Sequence, residues 1–200
     1  MVPPERLVRC PWSESHPLLT IYHDEEWGVP KTADRDQFEH ILLEIFQAGL
    51  SWLTMLKRHA GFKAAFAEFD PVKVAAFGED EFNRLLNDAG IIRNRAKISA
   101  AIHDAGLFLK VSEEFGSFFN FTKLYAPTEP HRYTDKGQVP ALTPETEAMA
   151  KELKRRGFKF LGPTICCAHL QSVGVVNDHL TTCFRFDEIE RLRRINGLSS

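Results

Sequence analysis

Leu85-Leu86-Asn87-Asp88-Ala89-Gly90-Ile91-Ile92-Arg93-Asn94-Arg95-Ala96-Lys97-Ile98 reads as a helix, a tight turn and a second helix. Gly90 is the residue that permits a positive φ in such a turn. Ile91 and Ile92 would plug back between the two helices. The second helix starts at Arg93 or Asn94 and carries Arg93, Arg95 and Lys97 near its beginning. A helix start presents unpaired N–H groups and the positive end of the dipole, which suits a phosphate. The flanking cations add salt-dependent attraction that carries no base identity. Read without function, the same stretch is an ordinary αα-corner with a solvated basic face. Both readings place two helices and a turn at about 80–110.

Outward from this stretch the period stays helical, and sustained alternation of β-branched residues is missing. Asp34 to Ala48 carries Phe38, Ile41, Leu42, Ile45 and Phe46 at helical spacing, and Gly49 closes it. Ser51 caps a helix from Trp52 to His59, and Gly61 separates it from another over Phe62 to Glu68. Asp70-Pro71 starts a short helix. Glu79 to Asp88 forms the next, and the helix after the turn runs to about Lys110. Thr143-Pro144 launches one to Arg156, and Pro163 to Val173 forms the last. Tyr125 to Pro144 holds four prolines and reads as a long surface loop. The class is all-α, with one domain over 1–183 and a polar tail or extra helix over 184–200.

Composition narrows the function classes. The chain has 200 residues, 44% hydrophobic and 26% charged, with a formal net charge of −2. That is a folded chain without a uniformly basic coat, so a nucleic-acid footprint has to be local. No apolar run approaches the ~20 residues of a membrane span, so no membrane partner is expected. Met1 to Cys10 has no apolar core of the secretory type. Four cysteines suit a reducing compartment rather than a disulfide scaffold, so the expected location is cytoplasmic. The 16 phenylalanines pack cores without needing a polar partner.

Four side chains suggest a metal. Cys10 and His23 lie near the start, and His179 and Cys183 stand four apart far downstream. On a helix, i and i+4 share one face and can bind one ion together. Two thiolates and two imidazoles make a closed tetrahedral Zn²⁺ site, which is structural and would clasp the chain ends. The bland alternative is two buried thiols and two surface histidines. Cys166 and Cys167 lie in an apolar helix and read as core packing.

Two polar and aromatic runs could receive a planar ligand. Tyr22-His23-Asp24-Glu25-Glu26-Trp27-Gly28 is one; Glu44, Gln47, Ser51 and Trp52 form the other. Rings stack on nucleobases, and a carboxylate accepts hydrogen bonds from an exocyclic amine. Glu44 interrupts an apolar face, so burial would raise its pKa or demand a partner. Otherwise Glu44 is exposed and Trp52 is core. Lys151 to Lys159 is a basic run, either a solvated helix end or a contact for a phosphate backbone.

These runs together resemble the DNA-3-methyladenine glycosylase I family. The matching segments are Tyr22 to Pro30, Gln47 to Trp52, Phe69-Asp70-Pro71, Ala89 to Arg95, Arg156 to Ile165, Gln171 to Gly174 and Val176 to His179. They fall in the family's order from about Arg9 to Cys183. The resemblance implies a helix-hairpin-helix DNA glycosylase fold with one structural zinc joining the terminal segments through Cys10, His23, His179 and Cys183. It implies a monomer that hydrolyses the N-glycosidic bond of 3-methyladenine in alkylated double-stranded DNA after base flipping, in base excision repair. Glu44 would hold the flipped base as the catalytic carboxylate, with Tyr22 and Trp52 as walls and Trp12, Trp27 and Gln47 as further lining. Gly90, Ile91, Arg93, Arg95 and Lys97 would meet the DNA. The catalytic Asp typical of other helix-hairpin-helix glycosylases is absent from the family. Three residues depart from its usual pattern: Leu19 where a Tyr is usual, Ile45 where a Gly is common, and Phe46 for a small or polar residue. Ile45 and Phe46 add bulk in the pocket or behind it. The competing readings are a catalytically altered damaged-DNA binding module and a metal-stabilised domain that binds no DNA.

Overall fold

The computed structural model describes residues 7–199, so Met1 to Arg6 and Ser200, at the outer limits of the expected domain and tail, lie outside the described residues. Among the described residues the secondary structure is helical, without a strand. Ten α-helices follow one another: α1 (Pro17–Glu25), α2 (Asp34–Gln47), α3 (Trp52–Ala65), α4 (Pro71–Ala75), α5 (Glu79–Asn87), α6 (Arg95–Phe115), α7 (Phe118–Lys123), α8 (Pro144–Arg156), α9 (Pro163–Ser172) and α10 (Phe186–Ile195).

Local chemistry fixes most of the starts. The Ser51 side chain accepts from Thr54 N at 3.3 Å to open α3. Asp70 caps α4 ahead of Pro71. Asn94 accepts from Ala96 N at 3.0 Å and Lys97 N at 3.2 Å, which settles the start of α6 at Arg95. Thr143 and Thr146 cap α8 reciprocally. α2 runs through the middle, packed on α3, α6, α7 and α9; α6 also receives α4, α5 and α7, and α8 lies on α9. The core between them is largely phenylalanine, with Phe108 stacked on Phe118 at 4.3 Å and Phe46 edge-on to Phe62 at 4.8 Å.

Several elements differ from the sequence expectation. α1 is a helix for which the sequence reading has no element, only the run from Tyr22 that overlaps its end; its cap is the His16 ring, which accepts from Leu18 N at 3.1 Å. α7 adds three buried phenylalanines, Phe118, Phe119 and Phe121. α6 continues to Phe115, five residues beyond the expected end. α3 runs unbroken through Gly61. A Cβ on Gly61 would lie 2.5 Å from the Gly90 carbonyl oxygen, so α3 and the α5–α6 turn cross at two glycines. Gly90 is absent from the positive-φ glycines, so its part in the turn is this close approach and not the left-handed conformation expected. The tail is an ordered helix: on α10, Ile189 and Arg193 are buried, and Arg193 donates to the Val175 carbonyl at 3.0 and 3.2 Å.

Candidate functional site

A cavity of about 240 Å³ opens where α1, α2, α3 and α9 meet. α2 supplies Glu44 and Gln47, α1 supplies Leu19 and Tyr22, and the first residue of α3 is Trp52. Trp12, from the 3-10 turn Pro11–Ser15, and Trp27 close one side. Ala168, Gln171 and Ser172 close the other from one face of α9. The Tyr22 and Trp52 ring centres are 5.2 Å apart at 47°, and Trp12 meets Trp27 edge-on at 5.1 Å. Ile45 and Phe46 lie behind the cavity, fully buried in the phenylalanine core, so of the three departures only Leu19 reaches the wall.

Two of the lining residues carry buried polar atoms. Glu44 is 3% exposed, its Oε2 has no hydrogen-bond partner, and Trp52 Nε1 has none either. Burial pushes the Glu44 carboxyl up from 4.5 to about 8, so at neutral pH it is mainly a neutral acid. Burial, and then Glu44, hold the Tyr22 hydroxyl well above its ordinary value. Two buried polar atoms thus stand unmatched. Such groups each cost on the order of 1–3 kcal/mol until something pairs with them.

An adjoining cavity of about 250 Å³ shares Trp12, Trp27 and Gln171 and reaches Lys136 and Asp178. Gln171 Nε2 donates to Asp178 Oδ2 at 2.6 Å, and the His131 ring lies 2.7 Å from Asp178 Oδ1. The long proline-containing loop is thereby tied to the wall of the first cavity.

The four metal candidates converge beside these walls. Their ligand atoms lie within 4.8 Å of one another, and all four residues are buried. Cys183 Sγ is 3.4 Å from His23 Nε2 and 3.5 Å from His179 Nδ1, and Cys10 Sγ is 3.7 Å from His179 Nδ1. The outer ring nitrogens are engaged: His23 Nδ1 by Asp24 at 2.7 Å and His179 Nε2 by the Trp27 carbonyl at 3.1 Å. Arg9 grips Asp24 with contacts of 2.7 to 3.0 Å. Such outer partners fix which nitrogen faces an ion. The neighbouring Cys10 thiol, with His179 and His23, holds the Cys183 thiol well below its ordinary value, while Cys183 and burial push Cys10 up. The set could hold one metal ion. His179 and Cys183 do not share a helix face as expected; they lie in the irregular stretch between α9 and α10, turned together by a bond from Cys183 N to the Leu180 carbonyl at 2.8 Å.

At the α5–α6 turn Ile91 is buried, while Arg93 and Arg95 are exposed. Arg95 lies over the Phe82 ring at 5.2 Å. Lys97 does not join them: it is 7% exposed, and its Nζ donates to the Phe46 and Ala48 carbonyls at 2.9 and 2.7 Å. In the basic run after α8 begins, Arg155 and Arg156 pair with Glu152, and Arg156 also with Glu114.

The profile described as methyladenine glycosylase matches residues 12–186. The chain belongs to the methyladenine glycosylase family. The DNA-3-methyladenine glycosylase 1 of Escherichia coli (strain K12) is 45% identical over 179 residues, covering 88% of this chain and 96% of the relative. A crystal structure of 3-methyladenine DNA glycosylase I superposes with a TM-score of 0.84 at 45% identity, covering 88% of this chain and 98% of that one. A single-residue variant of 3-methyladenine DNA glycosylase I in complex with 3-methyladenine superposes with a TM-score of 0.84 at 31% identity, covering 89% and 97%.

The sequence reading missed Ala168, Gln171 and Ser172, although their spacing of three and four marks one helix face. It also missed Asp24 and the Trp27 carbonyl behind the metal candidates. Asp24 directly follows His23, which is the available signal; a backbone carbonyl gives none.

Proposed function

We propose that this chain is a DNA-3-methyladenine glycosylase acting in base excision repair, hydrolysing the N-glycosidic bond of 3-methyladenine in alkylated duplex DNA after the base is turned out of the stack. The observation that carries the reading is the cavity of about 240 Å³ between aromatic rings, lined by Glu44, whose buried Oε2 has no partner, and by Trp52, whose buried N–H has none. The family membership and the named relatives support the same activity.

Methylation at N3 places positive charge on adenine and weakens the bond from N9 to C1′. Water adds to C1′ and gives up one proton to the solvent, the bonding electron pair leaves with N9, and the departing base becomes neutral. The protein's part is to hold the everted base, orient it and admit water. Tyr22 and Trp52 form the walls, with Trp12, Trp27 and Gln47 around them. Flipping costs a few kcal/mol and least for a damaged base. Glu44 adds selectivity. An opposite charge within about 4–6 Å lowers a carboxyl pKa by about 1–3 units, so the cationic lesion draws Glu44 into its ionised form. Neutral adenine supplies no charge to offset that desolvation.

Cys10, His23, His179 and Cys183 would hold one zinc, which supplies a closed structural crosslink. The three sulfur–nitrogen separations of 3.4, 3.5 and 3.7 Å suit such an ion: bonds of about 2.3 Å to sulfur and about 2.0–2.1 Å to nitrogen put tetrahedral neighbours about 3.6 Å apart. The α5–α6 hairpin is read as the helix-hairpin-helix element, with the Gly90-Ile91 turn and exposed Arg93 and Arg95 against the phosphates. Residues up to 183 form the glycosylase domain, and α10 is added to it. The enzyme is read as a monomer, and its free cysteines suit the cytoplasm.

The test is release of 3-methyladenine from methylated duplex DNA, with Glu44→Gln expected to lose most of the rate. Retained, salt-sensitive binding to alkylated DNA without release by the unsubstituted protein would favour the binding-module reading, for which Leu19 in the wall is the remaining structural reason.

A further inference from the structure

We propose that Lys97 is a positioning residue for the base cavity and not a phosphate contact: from the second helix of the hairpin it fastens the C-terminus of α2, and so fixes Glu44, Gln47 and the turn leading to Trp52. The assignment of the cavity rests on the glycosylase reading; the fastening itself is a matter of geometry.

The last four carbonyls of a helix have no partner within it. α2 ends in a tight turn in which Ala48 has φ −47° and ψ 114° and Gly49 takes a φ of +86°. One of its last carbonyls, Gln47 O, accepts from Leu50 N at 2.6 Å. Lys97 Nζ takes Phe46 O at 2.9 Å and Ala48 O at 2.7 Å. An ammonium at this end also meets the negative pole of the α2 dipole. A lysine in search of phosphate would stand out like Arg93 and Arg95; Lys97 is buried.

Lys97 reaches Glu44 through the backbone rather than by side-chain contact, since its Nζ bonds fall on the Phe46 and Ala48 carbonyls. The upward shift of the Glu44 carboxyl has burial as its cause, and burial likewise holds the Lys97 ammonium below its ordinary value. The influence therefore passes along the α2 backbone, in which Glu44 lies two residues before the first carbonyl gripped. The other end of the connection is the hairpin itself, because Lys97 sits on the first turn of α6, directly after the Asn94 cap. A hairpin seated on the DNA backbone and a cavity that receives the everted base thus share one rigid connection. Misplacement of a reacting geometry by about 1 Å can cost about 100-fold in rate, so a loose α2 end matters to excision even when the DNA is held as before.

The test compares the unsubstituted protein with Lys97→Met, which keeps the stem and removes the donors. Four quantities are read: affinity for undamaged duplex against salt, affinity for free 3-methyladenine by tryptophan fluorescence, single-turnover excision, and amide hydrogen exchange over residues 45–51. The expected result is an unchanged salt slope, base affinity and excision each down about tenfold, and faster exchange confined to the α2 end. A slope smaller by about 0.9 with base affinity and exchange unchanged would make Lys97 a phosphate contact and overturn the proposal; so would no change in any of the four. Should Lys97→Met fail to fold, Lys97→Arg keeps the charge while disturbing the two-carbonyl grip, and the same split is expected. If the unsubstituted protein releases no 3-methyladenine, the enzymatic reading falls, and the exchange rates alone decide the case of Lys97.

Discussion

Replacing Glu44 by Gln should stabilise the protein at neutral pH while disabling excision. The folded protein holds the Glu44 proton up to about pH 8, whereas the unfolded chain releases it near 4.5. Between those values the folded state binds more protons, so stability contributed by this group is complete below 4.5 and is lost as pH rises towards 8. One pKa unit is worth about 1.36 kcal/mol. From 4.5 to 7 the group therefore removes on the order of 3 kcal/mol, and Glu44→Gln has no proton to lose. Asp104, pushed up to about 7 by burial, and His169, pushed down to about 3 by burial, titrate in both proteins and cancel in the difference. For a domain of this length about 2–4 °C accompanies each kcal/mol, so the two melting temperatures should separate by about 6–12 °C between pH 4.5 and 7. The assay is calorimetry of both proteins at matched ionic strength across that range. A separation that does not grow with pH would mean that Glu44 is already ionised or paired in the free protein, and the account of its selectivity would fail with it.

Three further outcomes are expected. Gly61→Ala should lower stability by about 1–3 kcal/mol, because the new Cβ would lie 2.5 Å from the Gly90 carbonyl; this outweighs the gain of about 1 kcal/mol in helix propensity, and a higher melting temperature would refute the close crossing. Arg93→Ala with Arg95→Ala should reduce the salt slope of DNA binding by about 0.9 for each phosphate contact removed and leave free-base affinity intact; an unchanged slope would remove the hairpin from the interface. Elemental analysis should find one zinc per chain, and stripping it should lower the melting temperature and open Cys10 and Cys183 to thiol reagents before Cys166 and Cys167; an unaltered melting temperature would remove the clamp.

The chemistry-bearing residues are legible because their types are conspicuous where they stand. Glu44 breaks an apolar helix face, and two Cys and two His make a complete ligand set; the structure brings each set together. What escapes a sequence reading depends on distant backbone. Gly61 looks like a helix breaker because propensity is local, while the reason for the glycine is a carbonyl 29 residues away in sequence. α7 has six residues, too few for a periodic signal. Lys97 looks like a solvated cation until the α2 carbonyls come within reach of its stem. Ile45 and Phe46 threaten the cavity only as long as the orientation of α2 is open.

The placement of the metal candidates bears on the cavity and not only on the chain ends. Trp12 follows Cys10 by two residues, Tyr22 precedes His23, and the Trp27 carbonyl itself receives His179. Three aromatic walls are thus anchored, within two residues or through their own backbone, to the four-residue cluster. α2 is anchored by Lys97, and Gln171 by Asp178. A cavity lined by residues with an unpaired carboxyl oxygen and an unpaired indole N–H would be expected to collapse or to rotate these groups towards partners, since each unmade hydrogen bond is costly. Independent fastenings on its several walls oppose that collapse. Their cost falls on the unliganded protein, and a cationic, hydrogen-bonding base relieves it on entry. On the proposed reading, recognition then draws its free energy from buried polar groups kept unsatisfied in advance.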